Sequence, residues 1–337
     1  MDHRINLPRR RMLALAAASA LPVLWPGRSQ AKVPKLVLAG PFAGVSNALI
    51  RIVDGGALGD VADQVDFRVW KDPDQLRALA LEGAADFVAM PSNVAANLYN
   101  RGVKLRLLNI SAWGMLFVVS RDEKLRTLDD LRGQELLMPF RGDMPDIVFQ
   151  TLAVKLGIKV GKDLALRYVA TPLDALQMLL TRRADHALLA EPAVSMGVRK
   201  SQTLPISVVA PDLHRGLDIQ REWGRAFQRA PRIPQAGIVV MGNRMADTAL
   251  IERFQQAYAQ AMQWCRANAD ECGRAVAKRI DMLTPEGVAD AVRADGATLK
   301  TAAEAREELE FFFKLLHARQ PGLVGGKLPP DDFYQRG

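Results

Sequence analysis

Two short stretches place charged side chains beside residues that start helices. In Pro139-Phe140-Arg141-Gly142-Asp143-Met144-Pro145 a guanidinium and a carboxylate stand two apart, ahead of a proline suited to the first helical turn. In Ala190-Glu191-Pro192 a second carboxylate has the same setting. Arg141 and the unpaired N–H groups of helix starts favour negative charge, whereas Asp143 and Glu191 oppose it. Two further loops carry compact polar and aromatic groups: Gly40 to Asn47, with Phe42, Ser46 and Asn47, and Met90-Pro91-Ser92-Asn93. Trp70, Trp113 and Gln235, beside apolar runs, complete the candidate set. Each residue has a plainer use as well. Ser92, Thr171 and Asp143 can cap helices, Phe42, Trp70, Trp113 and Phe140 can be core, and Arg141 can pair with Glu191.

The elements that must hold these loops alternate short β-rich runs with amphipathic stretches. From Lys35 to Ala39, Val65 to Trp70 and Asp86 to Ala89 the runs read as strands, with helices over Val45 to Val53 and Pro73 to Leu81. The rhythm resumes after a β run at Trp113 to Val119, with strands at Glu135 to Met138, Ala165 to Val169 and His186 to Leu189 and helices at Pro145 to Leu156 and Pro172 to Thr181. The apolar run Ala236 to Met241 precedes a tail of helices without strand signal. This pattern predicts an α/β chain with two mainly parallel sheets covered on both faces. The four loops then share one topological edge, beyond the carboxyl ends of strands, where open α/β sheets bind ligands. The chain is expected to leave its first lobe near Trp113 and return near Met241, giving lobe one as 32–113 plus 242–337 and lobe two as 114–241.

The first residues read as an address. Arg4, Arg9, Arg10 and Arg11 precede an apolar run from Met12 to Trp25 and a small-residue site at Ser29-Gln30-Ala31, so 1–31 is expected to be a cleavable, twin-arginine-like export signal. The run is shorter than the roughly 20 residues that cross a bilayer. The expectation is a soluble, periplasmic protein. The formal charge is +8, but the leader holds five arginines against Asp2, which leaves +4 on the rest, interleaved with acids. No basic stripe of the kind that nucleic-acid binding requires results. The roughly 306 residues that follow the leader exceed a single core, so two lobes are the default.

Enzyme signatures are scarce. Gly157 to Asp163 departs from a phosphate-cradling loop, and His186, His214 and His317 have no helical pairing of the metal-binding kind. No catalytic residue, metal or cofactor is expected. The two cysteines, Cys265 and Cys272, would stand about 10 Å apart along one continuous helix. A disulfide therefore needs a helix break at Asn268 to Asp270; buried free thiols are the alternative.

In Trp70-Lys71-Asp72-Pro73-Asp74-Gln75-Leu76-Arg77-Ala78-Leu79 with Gly83 and Asp86, in Thr127 to Gln134, in Leu152 to Gly157, and in Asp174-Ala175-Leu176 followed by Ala184-Asp185 and Ala190-Glu191-Pro192, the chain resembles a known family. The family is that of the periplasmic substrate-binding proteins of nitrate, taurine and aliphatic-sulfonate ABC transporters, which includes relatives that bind thiamine-precursor pyrimidines. The resemblance spans most of 35–195. It implies a two-lobed (type II) binding fold with two hinge crossings, a small-molecule ligand in the cleft, and an inner-membrane permease with a cytoplasmic ATPase as partners of a monomer. Ala89 to Asn93 lacks the glycine-rich form common in relatives, and Arg141-Gly142-Asp143 replaces a small polar pair. The expected ligand is organic, with an anionic group and an amine or ring. A small-metabolite enzyme on the same scaffold and a ligand-sensing accessory protein are the alternatives.

Overall fold

A computed structural model describes residues 32–209, 212–296 and 298–336. The expected export signal lies outside the described residues. The first stretch runs β1 (Val33–Gly40), α1 (Asn47–Asp54), β2 (Ala62–Val69), α2 (Pro73–Glu82), β3 (Phe87–Pro91), α3 (Ser92–Asn100) and β4 (Leu105–Ala112). The second runs β5 (Leu116–Ser120), β6 (Glu135–Pro139), α4 (Met144–Lys155), β7 (Ala165–Val169), α5 (Pro172–Leu180), β8 (His186–Ala190), α6 (Ala193–Ser201), α7 (Ile206–Val209), β9 (His214–Asp218) and α8 (Ile219–Phe227). The third comprises β10 (Ala236–Met241), α9 (Thr248–Ala267), α10 (Ala269–Arg279), α11 (Pro285–Ala294), β11 (Lys300–Thr301) and α12 (Arg306–Arg319).

Local chemistry explains several boundaries. The Asp72 carboxylate accepts from the N–H groups of Asp74 and Gln75 at 3.0 and 2.9 Å, Pro73 opens α2, and Gly83 closes it at φ 63°. Thr171 and Asp174 form a reciprocal capping box around Pro172 at the start of α5. The strands β3, β4 and β10 are buried almost throughout, so periodicity distinguishes them poorly from buried helix.

Two sheets result, in the orders β11-β4-β10-β3-β1-β2 and β7-β6-β8-β5-β9. In the first, β1, β2, β3 and β4 run the same way while β10 and β11 oppose them; in the second only β5 opposes its neighbours. The first crossing occupies the three residues between β4 and β5. The return falls earlier than Met241. β10, which the strand pattern alone assigned to the second lobe, is wedged antiparallel between β3 and β4 in the first sheet. Gly237 permits this wedge, because a Cβ there would come within 1.8 Å of the Asn109 carbonyl oxygen. The short β11 on the edge of the first sheet also corrects the strandless reading of the tail.

The largest buried cluster joins both sheets. Phe312, Phe313 and Leu316 of α12 share it with Val148, Phe149 and Leu152 of α4 and Trp223 of α8. Trp223 meets Phe312 edge to face at 5.8 Å, and Phe313 meets Phe333 at 6.1 Å. The last long helix thus braces one half of the molecule against the other.

Asn268 interrupts the helical run between α9 and α10. That break brings Cys265 and Cys272 to a Cα separation of 5.1 Å, where a disulfide joins them, both side chains buried. Replacing both cysteines by serine is expected to cost about 2 kcal/mol and to lower the melting midpoint by roughly 5 °C. Calorimetric melts of the oxidised and reduced protein measure this directly, and coincident melts would contradict a stabilising bridge.

Candidate functional site

The carboxyl ends of the strands and the crossings converge on a cavity of about 120 Å³. Phe42 follows β1, Trp70 follows β2, Pro91 ends β3, Phe140 and Asp143 follow β6, Glu191 follows β8, and Gln235 precedes β10; all of them line it. Both sheets therefore contribute walls. Trp70 is fixed by a bond from its indole Nε1 to the Ala89 carbonyl at 3.1 Å. Phe140 adopts φ 55°, a left-handed conformation that costs a non-glycine residue roughly 1–2 kcal/mol. Strain of this kind persists where surrounding structure demands it.

Apart from Asp143, Glu191 and Gln235, the lining is apolar: Met90, Val94, Met115, Leu116, Met144 and Ala190, with a series of prolines, fill the remaining wall. Those residues are absent from the sequence-derived set because isolated methionines and alanines carry no signal that separates a cleft wall from core. Arg77 and Arg215 were missed for a different reason. Each acts on a residue remote in sequence.

Asp143 does not cap α4 with its side chain. Its Oδ1 instead accepts from Arg77 Nη2 of α2 at 2.5 Å, a contact between the two halves of the molecule. Burial pushes the Asp143 carboxyl above its ordinary value, opposed by the Arg77 charge. Glu191 is paired with Arg215 of β9 and accepts the Ser195 N–H at 3.1 Å. Burial again raises its pKa against the pull of the arginine.

Arg141 is not brought into the cavity. Its side chain is exposed, with the guanidinium 4.8 Å above the Tyr168 ring. The pairing considered for Arg141 and Glu191 gives way to Arg215 and Glu191 because β9 lies beside β5 on the sheet. Ser46 is wholly buried and donates to the Pro41 carbonyl at 2.5 Å, which braces the first loop rather than facing the cavity. Ser92 donates its hydroxyl to the Pro234 carbonyl at 2.5 Å and also leaves the cavity wall to Pro91. Asn93 is buried, with no partner for its Oδ1 among the described residues. Asn47 and Trp113 line a second, more polar chamber of about 450 Å³ that shares Val45, Met115 and Glu191 with the first.

Among the described residues no group of three or more His, Cys, Asp or Glu side chains is placed to hold a metal ion. His186 sits in strand β8 with its Nδ1 2.9 Å from the Ser120 hydroxyl, a core arrangement.

No family model and no curated protein matches the sequence. Solved structures do. An ABC transporter protein from Parabacteroides distasonis superposes with a TM-score of 0.72 at 21% identity, over 91% of this chain and 99% of that one. The periplasmic nitrate-binding protein NrtA of Synechocystis PCC 6803 gives 0.66 at 14%, over 86% and 82%. The periplasmic aliphatic sulphonate binding protein SsuA of Escherichia coli gives 0.63 at 13%, over 90% and 94%. The fold is thus the two-lobed architecture of periplasmic binding proteins, in agreement with the likeness carried by the sequence motifs.

Two outcomes follow from the placement of charge. Arg141→Ala is expected to leave cleft affinity within a factor of two, as titration calorimetry would show. For Glu191, the unfolded chain loses its proton in the ordinary carboxylate range while the folded protein holds it to higher pH. This group's contribution therefore weakens as pH rises through that window. Melting curves of Glu191→Gln against the unsubstituted protein should show the difference shifting in the variant's favour from acid to neutral pH. A shift the other way would mean a carboxylate stabilised by folding.

Proposed function

We propose that this chain is the periplasmic solute-binding component of an ABC importer and that its cleft takes a small, uncharged, mainly apolar organic molecule. The supporting architecture is a fold in which loops of both sheets wall an apolar cavity that adjoins a more polar chamber. The observation that carries the ligand class is the lining itself, which includes no lysine or arginine and only three polar residues among the described residues. This revises the anionic ligand expected from Arg141, which turns away to Tyr168. Both carboxylates on the wall are already engaged by arginines, so binding rather than turnover is their reading.

The lobes are assigned as the two sheet-bearing halves. The ligand closes them because it touches both walls only when they are shut, so its differential affinity shifts the open and closed populations. A ring-sized solute burying roughly 150–250 Å² gains about 4–6 kcal/mol at 25 cal/mol per Å². Micromolar affinity corresponds to about 8 kcal/mol. Apolar contact thus supplies most, but not all, of the binding energy. A permease would then receive the closed, loaded form.

Titration calorimetry with acetophenone and benzenesulfonate, a neutral and an anionic ring, tests the reading. Acetophenone is expected to bind at least tenfold more tightly, and Ala190→Phe, which fills the cavity, to abolish that binding. Tighter binding of the sulfonate would overturn it.

A further inference from the structure

The described part of the cleft holds one polar group whose bonding is incomplete in a specific way. Gln235 is 2% exposed and lies on the return crossing, immediately before β10. Its backbone N–H donates to the Ala112 carbonyl at 3.0 Å, and its backbone carbonyl accepts the Ser92 N–H at 2.9 Å. Its side-chain Oε1 accepts the Met115 N–H at 2.8 Å. That last bond sets the orientation of the amide, because a backbone N–H must face oxygen and not the NH₂ group. The remaining atom, Nε2, is buried and has no partner. A buried donor left unmade costs about 1–3 kcal/mol, and Gln235 is one of the residues lining the cavity.

We propose that Gln235 Nε2 is the hydrogen-bond donor to the bound solute, so that the cleft selects an uncharged, ring-sized molecule carrying a carbonyl or comparable acceptor. This deepens the apolar-ligand reading and rests on it. The size follows from the cavity, about 120 Å³, close to apolar cavities of about 150 Å³ that hold a benzene ring. The acceptor follows from the amide. A hydrocarbon of the same size leaves Nε2 unpaired, and a site built around a donor discriminates sharply against a ligand that cannot use it. An anion of the same size would meet Asp143 and Glu191, the two titratable groups on the wall, with no cation lining the cavity in compensation. The donor stands at the crossing, where three bonds hold its residue to β4, the first crossing and α3. A solute bonded there is anchored at the base of the hinge while the walls close over it.

The test uses the full chain and three probes of similar size: acetophenone, ethylbenzene and benzenesulfonate. The unsubstituted protein is expected to bind acetophenone at least tenfold more tightly than ethylbenzene at pH 8. Gln235→Met should erase that preference. Gln235→Glu keeps an oxygen for the Met115 N–H and places a second oxygen where the NH₂ stood. Its acetophenone affinity should fall at least tenfold at pH 8 and recover as the pH is lowered and the carboxyl gains a proton to donate. The unsubstituted protein, followed over the same range, subtracts the titration of Asp143 and Glu191. A purely structural role for Gln235 would not give that pH-dependent rescue. Equal affinity for acetophenone and ethylbenzene in the unsubstituted protein overturns the donor assignment and leaves the apolar cleft standing. So does Gln235→Glu binding acetophenone equally at both pH values. Binding of benzenesulfonate in preference to both neutral probes overturns the apolar cleft, and the donor assignment with it.

Discussion

The cleft depends on how the chain is held where it passes twice between its sheets. The Ile233 N–H bonds to the Trp113 carbonyl at 2.7 Å and the Gln235 N–H to the Ala112 carbonyl at 3.0 Å, so the two crossings pair with each other. The Glu191 N–H joins them through the Met115 carbonyl at 3.0 Å, and the Ser92 hydroxyl reaches Pro234. The ends of β3, β8 and both crossings are thereby fixed as one unit of backbone bonds. Buried backbone groups must find partners, and here the partners they find put Pro91, Met115, Glu191 and Gln235 on one surface. A ring-sized cavity with the unpaired Gln235 amide nitrogen belonging to a lining residue is the consequence.

The charges around that surface are arranged to be neutral toward a ligand. Asp143 and Glu191 sit where burial disfavours their charged forms, and each is compensated from behind by an arginine held on a neighbouring element. Arg77 and Arg215 spend their charge on these acids and do not line the cavity. An anion in this cavity would meet no lysine or arginine among the described lining residues, whereas an uncharged solute disturbs neither pair. The apolar wall and the paired acids therefore argue for the same ligand class.

Much of this was visible in the order of residues, and the losses have identifiable causes. Between Lys35 and Leu189 the alternation placed β1, β2, β3, β5, β6, β7, β8, α1, α2, α4 and α5 to within a few residues, helped by Pro73 and Pro172 at N1 behind the caps Asp72 and Thr171. The loops after β1, β3, β6 and β8, from two different sheets, do reach one cavity. What the chain order could not express was direction. Phe42, Trp70, Pro91, Phe140, Asp143, Glu191 and Gln235 turn inward, while Arg141 leans on Tyr168 and Ser46 and Ser92 turn back on the backbone. α3, β4, α6, α7, α8 and β9 went unread: β4 is buried almost throughout, and the others are segments of nine residues or fewer, too short for a window of about 11–18 residues to resolve even where, as in α8, apolar and polar faces separate cleanly. The placement of β10 in the first sheet depended on a close backbone approach at Gly237 that only the partner strand reveals.

The same geometry constrains how the cleft can open. At the back, α12 shares a continuous aromatic core with α4 and α8, and Arg319 donates to the Ile147 carbonyl and the Thr151 hydroxyl of α4 at 3.1 and 3.2 Å. At the front the halves meet through Arg77 and the largely buried Asp143, through Arg199 of α6 and Asp290 of α11, and through Met196 and Phe140 packed against the cluster around Phe42 and Val288. A partly exposed ion pair such as Arg199 and Asp290 contributes only about 0–1 kcal/mol, whereas each large aromatic in the rear bracket buries roughly 150–250 Å². On the proposed role, the closing motion would be a bend about the paired crossings that keeps the aromatic bracket at α12 intact. Moving such an equilibrium from 1:99 to 99:1 takes about 5.5 kcal/mol of differential affinity. That is comparable to the apolar contact one ring makes with both walls, and it exceeds what the frontal ion pairs supply. On the proposed role, the occupant of the cleft and not the ion pairs at its rim would set closure.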